Sequence, residues 1–126
     1  MQIVVTDLPG SQLAAVAGNV LYVDQDAAGY GWFIDASPQA DNEFYRRGGE
    51  LVAKRNSAAA GHVDLLSALE HEVGHLLGLE HSASPGNVMQ GEIVLGVRRL
   101  PTVWDAALVE LAYGTTGRGA PENVCP

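Results

Sequence analysis

At 126 residues the chain can bury one core without staples and is too short for two ordinary domains. Apolar residues make up 47%, and a formal net charge of −8 with no basic stripe argues against nucleic acid or an anionic membrane as a partner. A single cysteine, Cys125, excludes an intrachain disulfide.

Taken in chain order, Gln2 to Thr6 reads as a short strand stopped by the turn cluster Asp7-Leu8-Pro9-Gly10. Gly18-Asn19 is the next turn signal, and Val20-Leu21-Tyr22-Val23 is a strand that runs into Asp24-Gln25-Asp26. Gly31-Trp32-Phe33-Ile34 is a further short strand, followed by a polar loop over 35–43. Phe44-Tyr45 and Glu50 to Ala53 supply two more strands. From Val63 the period changes. Leu65, Leu66, Leu69, Val73, Leu76 and Leu77 recur at helical spacing, and Gly78 stands where a helix C-terminal glycine belongs. The stretch 91–101 reads as irregular, 102–113 as a second helix closed by Gly114, and 115–126 as a loose tail carrying Cys125. Strands first and helices after give an α+β domain, 1–126, with helices packed on a small sheet. No basic n-region precedes the first apolar run and no run is long enough to span a membrane. The abrupt strand at the start suggests an excised domain.

Three of the four histidines fall in one stretch, HEVGHLLGLEH from His71 to His81. His71 and His75 are four residues apart, so on a helix both imidazoles leave one face and can grip one ion. Glu72 projects about 100° away, too far round to join them as a third ligand but able to lean over a metal-held water. Gly78 can take positive φ and turn the chain back, which brings His81 to a three-histidine site. Three neutral nitrogens and an open fourth position are the catalytic zinc arrangement. A polar helix with satisfied histidines is the competing reading.

The string HExxHxxGxxH resembles the zinc signature of the metzincin metallopeptidases. Ser82 directly after the third histidine, Pro85 and Met89 are similar to the matrixin subfamily, and Leu111-Ala112-Tyr113-Gly114 resembles the end of its C-terminal helix. The resemblance implies a metzincin-like α+β fold in minimal form: a small twisted mixed sheet on an active-site helix, a Met-turn at Met89 and a C-terminal helix. It implies a zinc endopeptidase in which His71, His75 and His81 hold one zinc and Glu72 is the catalytic base. An extended peptide or protein substrate would lie along an edge at Gly29, Tyr30 and Gly31, and the 91–101 loop would wall the specificity pocket. Family members act outside the cell, so an extracellular monomer is expected. The alternative is a catalytically silent module that binds peptides or proteins, and the intact Glu72 speaks for the enzyme.

Departures from the family pattern carry expectations of their own. No histidine precedes His62, so a second, structural zinc is not expected. Asp24, Asp26, Asp35, Asp41 and Glu43 can hold calcium or serve as loop residues, and loop duty is the favoured reading. The N-terminal half is short for a matrixin, so the first helix and strand are expected to be missing or reduced. Gln90 and Gly91 put no tyrosine on the metal. Met89 is expected as packing under the site, His62 at the surface, Glu70 and Glu80 in solvent, and Trp32 and Trp104 in or near the core. The arginine pairs 46–47 and 98–99 read as isolated pairs rather than part of a basic stripe.

Overall fold

The computed structural model describes residues 2–37, 40–48, 50–84 and 86–100, together with the backbone of Asn123–Cys125. The second helix expected over 102–113, with Trp104, lies outside the described residues.

The chain opens with β1 (Gln2–Thr6), β2 (Ala14–Ala17) and β3 (Val20–Asp24). β2 and β3 form an antiparallel hairpin in which Ala17 pairs with Val20. The loop between them is Gly18-Asn19, with Gly18 at φ 60 in the first central place, as a type II′ turn requires. β1 runs parallel to β3 on its other side. After β3 a single 3₁₀ turn (Ala27–Gly29) leads to β4 (Trp32–Phe33). β5 (Phe44–Arg47) and β6 (Glu50–Ala53) form a second hairpin. β7 (Val63–Asp64) runs parallel to β4 and passes directly into the helix α1 (Leu65–Leu76). β8 (Val97–Arg98) pairs antiparallel with β6, and β9 (Asn123–Cys125) antiparallel with β2.

Where one small mixed sheet was expected, the described strands form three: a four-stranded mixed sheet, a two-stranded parallel one and a three-stranded antiparallel one. β2 went unread because its only large side chain is Val16. The stretch expected to be irregular contains β8, and Asn123–Cys125 of the expected loose tail is paired as strand.

The core explains the placing of α1. Val16, Leu21 and Val23 of the hairpin form a buried cluster, and Leu65, Leu69, Val73 and Leu76 pack on it with Trp32. Those four helix residues fall in one stripe about 80° wide at 100° per residue. The opposite flank of the helix, with Ala68, His71, Gly74 and His75, is buried too. Leu79, Val88 and Met89 cluster on that side. Met89 packs directly against Gly74, where a β-carbon would collide with its sulfur.

The aspartates named as calcium candidates have identified duties. Asp24, buried, accepts the amides of Leu8 at 2.8 Å and Ala28 at 2.8 Å. Asp26 caps the 3₁₀ turn by accepting from the Gly29 amide. Asp35 and Asp41 both accept from Arg98.

Arg98 and Arg99 are both buried. Arg98 grips Asp64 with two bonds, Nε to Oδ2 at 2.9 Å and Nη2 to Oδ1 at 2.8 Å. Its guanidinium also lies 4.6 Å from the ring centre of Phe44. Burial alone works against its charge, and the carboxylates of Asp64, Asp35 and Asp41 outweigh that.

Candidate metal centre

α1 is capped by Asp64, whose carboxylate accepts the Ser67 amide at 3.2 Å and so satisfies one of the first unpaired donors. The helix ends in a Schellman turn. The Leu79 amide bonds the Gly74 carbonyl at 2.8 Å and the Gly78 amide bonds the His75 carbonyl at 3.0 Å, with Gly78 at φ 96. The sharp reversal brings His81 back beside the helix.

The three imidazoles form a nearly equilateral group. Ring centres lie 4.8 Å apart for His71–His75, 5.2 Å for His71–His81 and 4.9 Å for His75–His81. One nitrogen from each falls within 4.8 Å of the others, a grouping among the described residues that could hold a metal ion. Nδ1 of His71 lies 2.7 Å from the Val88 carbonyl, and Nδ1 of His75 lies 2.8 Å from the Leu79 carbonyl. A carbonyl can only accept, so each Nδ1 carries the proton and each Nε2 keeps its lone pair for a metal. The same reversal at Gly78 supplies the Leu79 carbonyl that fixes this tautomer.

The electrostatics agree with neutral ligands. Burial pushes the His71 pKa down to about 4 against the raising effect of the Val88 bond, and His75, His81 and Arg99 push it the same way. His75 is likewise lowered, first by burial and then by the His81 charge. His81 is exposed, and Gly91 packs on it: a β-carbon there would lie 3.4 Å from Nδ1. The donor set, with the tautomers and neutral state of the two helix imidazoles, fits a zinc ion held by three nitrogens.

Glu72 is buried on α1 beside His71. Met89 sits in a tight turn from Asn87 to Gln90. The Gln90 amide bonds the Asn87 carbonyl at 3.0 Å, and the Met89 amide bonds Asn87 Oδ1 at 2.7 Å. The Ser82 amide in turn bonds the Met89 carbonyl at 2.9 Å, tying this turn to the residue after His81.

Gly29, Tyr30 and Gly31 lie against the residues just before α1. The Tyr30 carbonyl meets Nδ1 of His62 at 2.8 Å, and the Gly31 carbonyl accepts from the Val63 amide at 3.0 Å. The amides of all three are bonded to Asp26 or Ala27, while the Tyr30 side chain is exposed. Within 91–100, Gly96 is bonded between His62 and Ala53, and Arg98 is interior. Glu70, expected in solvent, is half-buried. Burial, then the nearby Asp64 charge, raises its pKa to about 7. Glu80 is exposed as expected.

No helix among the described residues is long and apolar enough to cross a membrane. Neither curated proteins nor solved structures yielded a match to the chain. A family model, Matrixin, matches residues 22–105, a span that takes in all three histidines, Glu72, Met89 and β8. With two thirds of its length under that match and the histidine group assembled on the matched helix and turn, the chain belongs to the matrixin family of metallopeptidases.

Proposed function

We propose that the chain is a zinc-dependent endopeptidase. The observation that carries the reading is the three-histidine group with both helix imidazoles held through Nδ1 by backbone carbonyls, beside a buried glutamate. A zinc ion held by His71, His75 and His81 would supply Lewis acidity, making a water more acidic and a peptide carbonyl more electrophilic. His71, His75 and His81 hold the ion, and Val88 and Leu79 keep the two helix rings in register. Glu72 takes the proton from the attacking water and delivers it to the leaving amine. Met89 and its turn, read here as the Met-turn, form a floor under Gly74 and hold the segment after His81 against the helix. Peptide docking at Gly29, Tyr30 and Gly31 would use the exposed Tyr30 ring, because the amides there are already bonded within the chain. One chain supplies the whole centre, so a monomer suffices, and an extracellular setting follows from the family.

The test combines metal analysis with cleavage of an unfolded protein. The parent is expected to bind one zinc and to cleave, and a chelator is expected to stop cleavage. Glu72→Ala keeps its zinc and loses roughly 10²–10⁴-fold in rate, the usual contribution of a positioned acid–base group. Unchanged cleavage in Glu72→Ala overturns the mechanism. Zinc without cleavage in the parent supports the silent peptide-binding module instead.

A further inference from the structure

We infer that Arg99 is a positioning residue for the histidine centre, setting the spacing between the helix that carries His71 and His75 and the segment against which His81 packs. The inference rests on reading the three histidines as a metal site. Arg99 makes three separate attachments. Its backbone amide donates to Ser67 Oγ at 2.9 Å, its Nε donates to Glu50 Oε2 at 2.9 Å, and its Nη1 donates to the Glu92 carbonyl. Ser67 is one turn before His71 on the same face of α1. Glu92 follows Gly91, which packs on the His81 ring. A single buried residue therefore links the helix face of one ligand, through its backbone amide, to the backing of another, through its guanidinium.

The helix end of the link is stiff. Ser67 Oγ also donates to Asp64 Oδ2 at 2.6 Å, and Arg98 clamps that carboxylate with two bonds. The guanidinium is a rigid planar fork, which an ammonium cannot replace at two acceptors set apart. His71 and His75 are buried on a regular helix, whereas His81 is exposed on a turn. The position of His81 therefore depends most on what lies beside it.

A purely structural arginine would change stability and leave the metal affinity of the folded protein untouched. The experiment uses the metal-free full chain, zinc affinity by competition with a chromophoric chelator, and the visible spectrum of the Co²⁺-loaded protein. Far-UV circular dichroism checks folding. Arg99→Met is expected to bind zinc roughly 10–100-fold more weakly, as loss of an outer-shell support does, and to alter the cobalt spectrum. Glu50→Gln, which loosens one attachment at a partly exposed carboxylate, shifts both in the same direction by less. Arg46→Met, on the exposed side of β5, matches the parent. A folded Arg99→Met with the parent's affinity and spectrum overturns the inference. Should Arg99→Met fail to fold, an unchanged Glu50→Gln overturns it. A parent that binds no zinc overturns the metal reading and this inference with it; a parent that binds zinc beside unaffected variants overturns this inference alone.

Discussion

At the scale of single residues, the centre depends on a small residue facing a large one. Gly74 lies between the two helix histidines in the signature, and glycine within a helix costs about 0.5–1 kcal/mol relative to alanine. The structure accounts for it: the Met89 sulfur occupies the space a β-carbon would need. Met89 is nearly fully buried, so its thioether cannot swing into solvent to make room. Helix propensity favours Gly74→Ala, and overpacking opposes it at about 1–3 kcal/mol, so overpacking wins. Gly74→Ala is expected to lower stability in urea denaturation, and the same change in a Met89→Ala background is expected to be neutral or stabilising. Equal cost in both backgrounds would show that the two residues do not compete for the space. The histidine cluster and Gly78 were legible because their meaning is local, a fixed spacing on a helix and one reversal after it. Gly74 was not, because its partner is reached only after the chain has turned back.

At the scale of elements, local pattern and tertiary pairing separate cleanly. α1 was readable from its leucine period, and β1, β3, β5 and β6 from runs bounded by glycine, asparagine and proline. β2 was hidden because its Ala-Ala-Val-Ala run carries little of the branched or aromatic signal, although Val16 anchors the core. β7 and β8 have two residues each, and only their partners make them strands. The Arg98 cage was invisible for the same reason: its carboxylates lie 34, 57 and 63 residues away in sequence. Asp64 joins these scales, since it caps α1 and also receives both Arg98 bonds. Asp64→Asn keeps a capping oxygen and removes the charge, so it isolates the ion pair from the cap. Breaking a buried pair commonly costs about 3–5 kcal/mol, while losing a cap costs about 1 kcal/mol. Asp35 and Asp41 still face the arginine, which places the expected loss for Asp64→Asn at about 2–3 kcal/mol in urea denaturation. A loss near that of a cap alone would assign the dominant role to Asp35 and Asp41.

At the scale of the whole molecule, two kinds of carboxylate respond oppositely to acid. Most of the 15 acidic side chains contribute to a net charge of −8, and protonating exposed ones relieves self-repulsion. Asp24 and Asp35 behave otherwise. Burial alone would raise the Asp24 pKa, but amides from Ala28, Leu8 and Asp26 outweigh it and hold the group below the ordinary carboxylate value. For Asp35, burial is likewise outweighed, by the Ser37 amide and then by the Arg98 bond and charge. A carboxylate whose pKa is lower folded than unfolded binds more protons in the unfolded chain over the interval between the two values. Its stabilisation is therefore complete above the ordinary aspartate value of 3.8 and drains away as pH falls through the folded value. Burial-lowered His71 and His75 take up protons in the unfolded chain before the folded one, so stability is expected to fall as pH drops below about 6.5, with Glu70 opposing, and to fall further below about 4 as Asp24 and Asp35 lose their charge. Each substitution by asparagine can be read as a difference from the parent at each pH, which cancels the titration of the histidines and the exposed carboxylates. Asp24→Asn and Asp35→Asn are expected to be less stable than the parent at neutral pH and to converge on it below about pH 4. A stability gap that stayed constant from neutral to acid pH would mean that the carboxylates serve through shape and hydrogen bonding, with their charge contributing nothing.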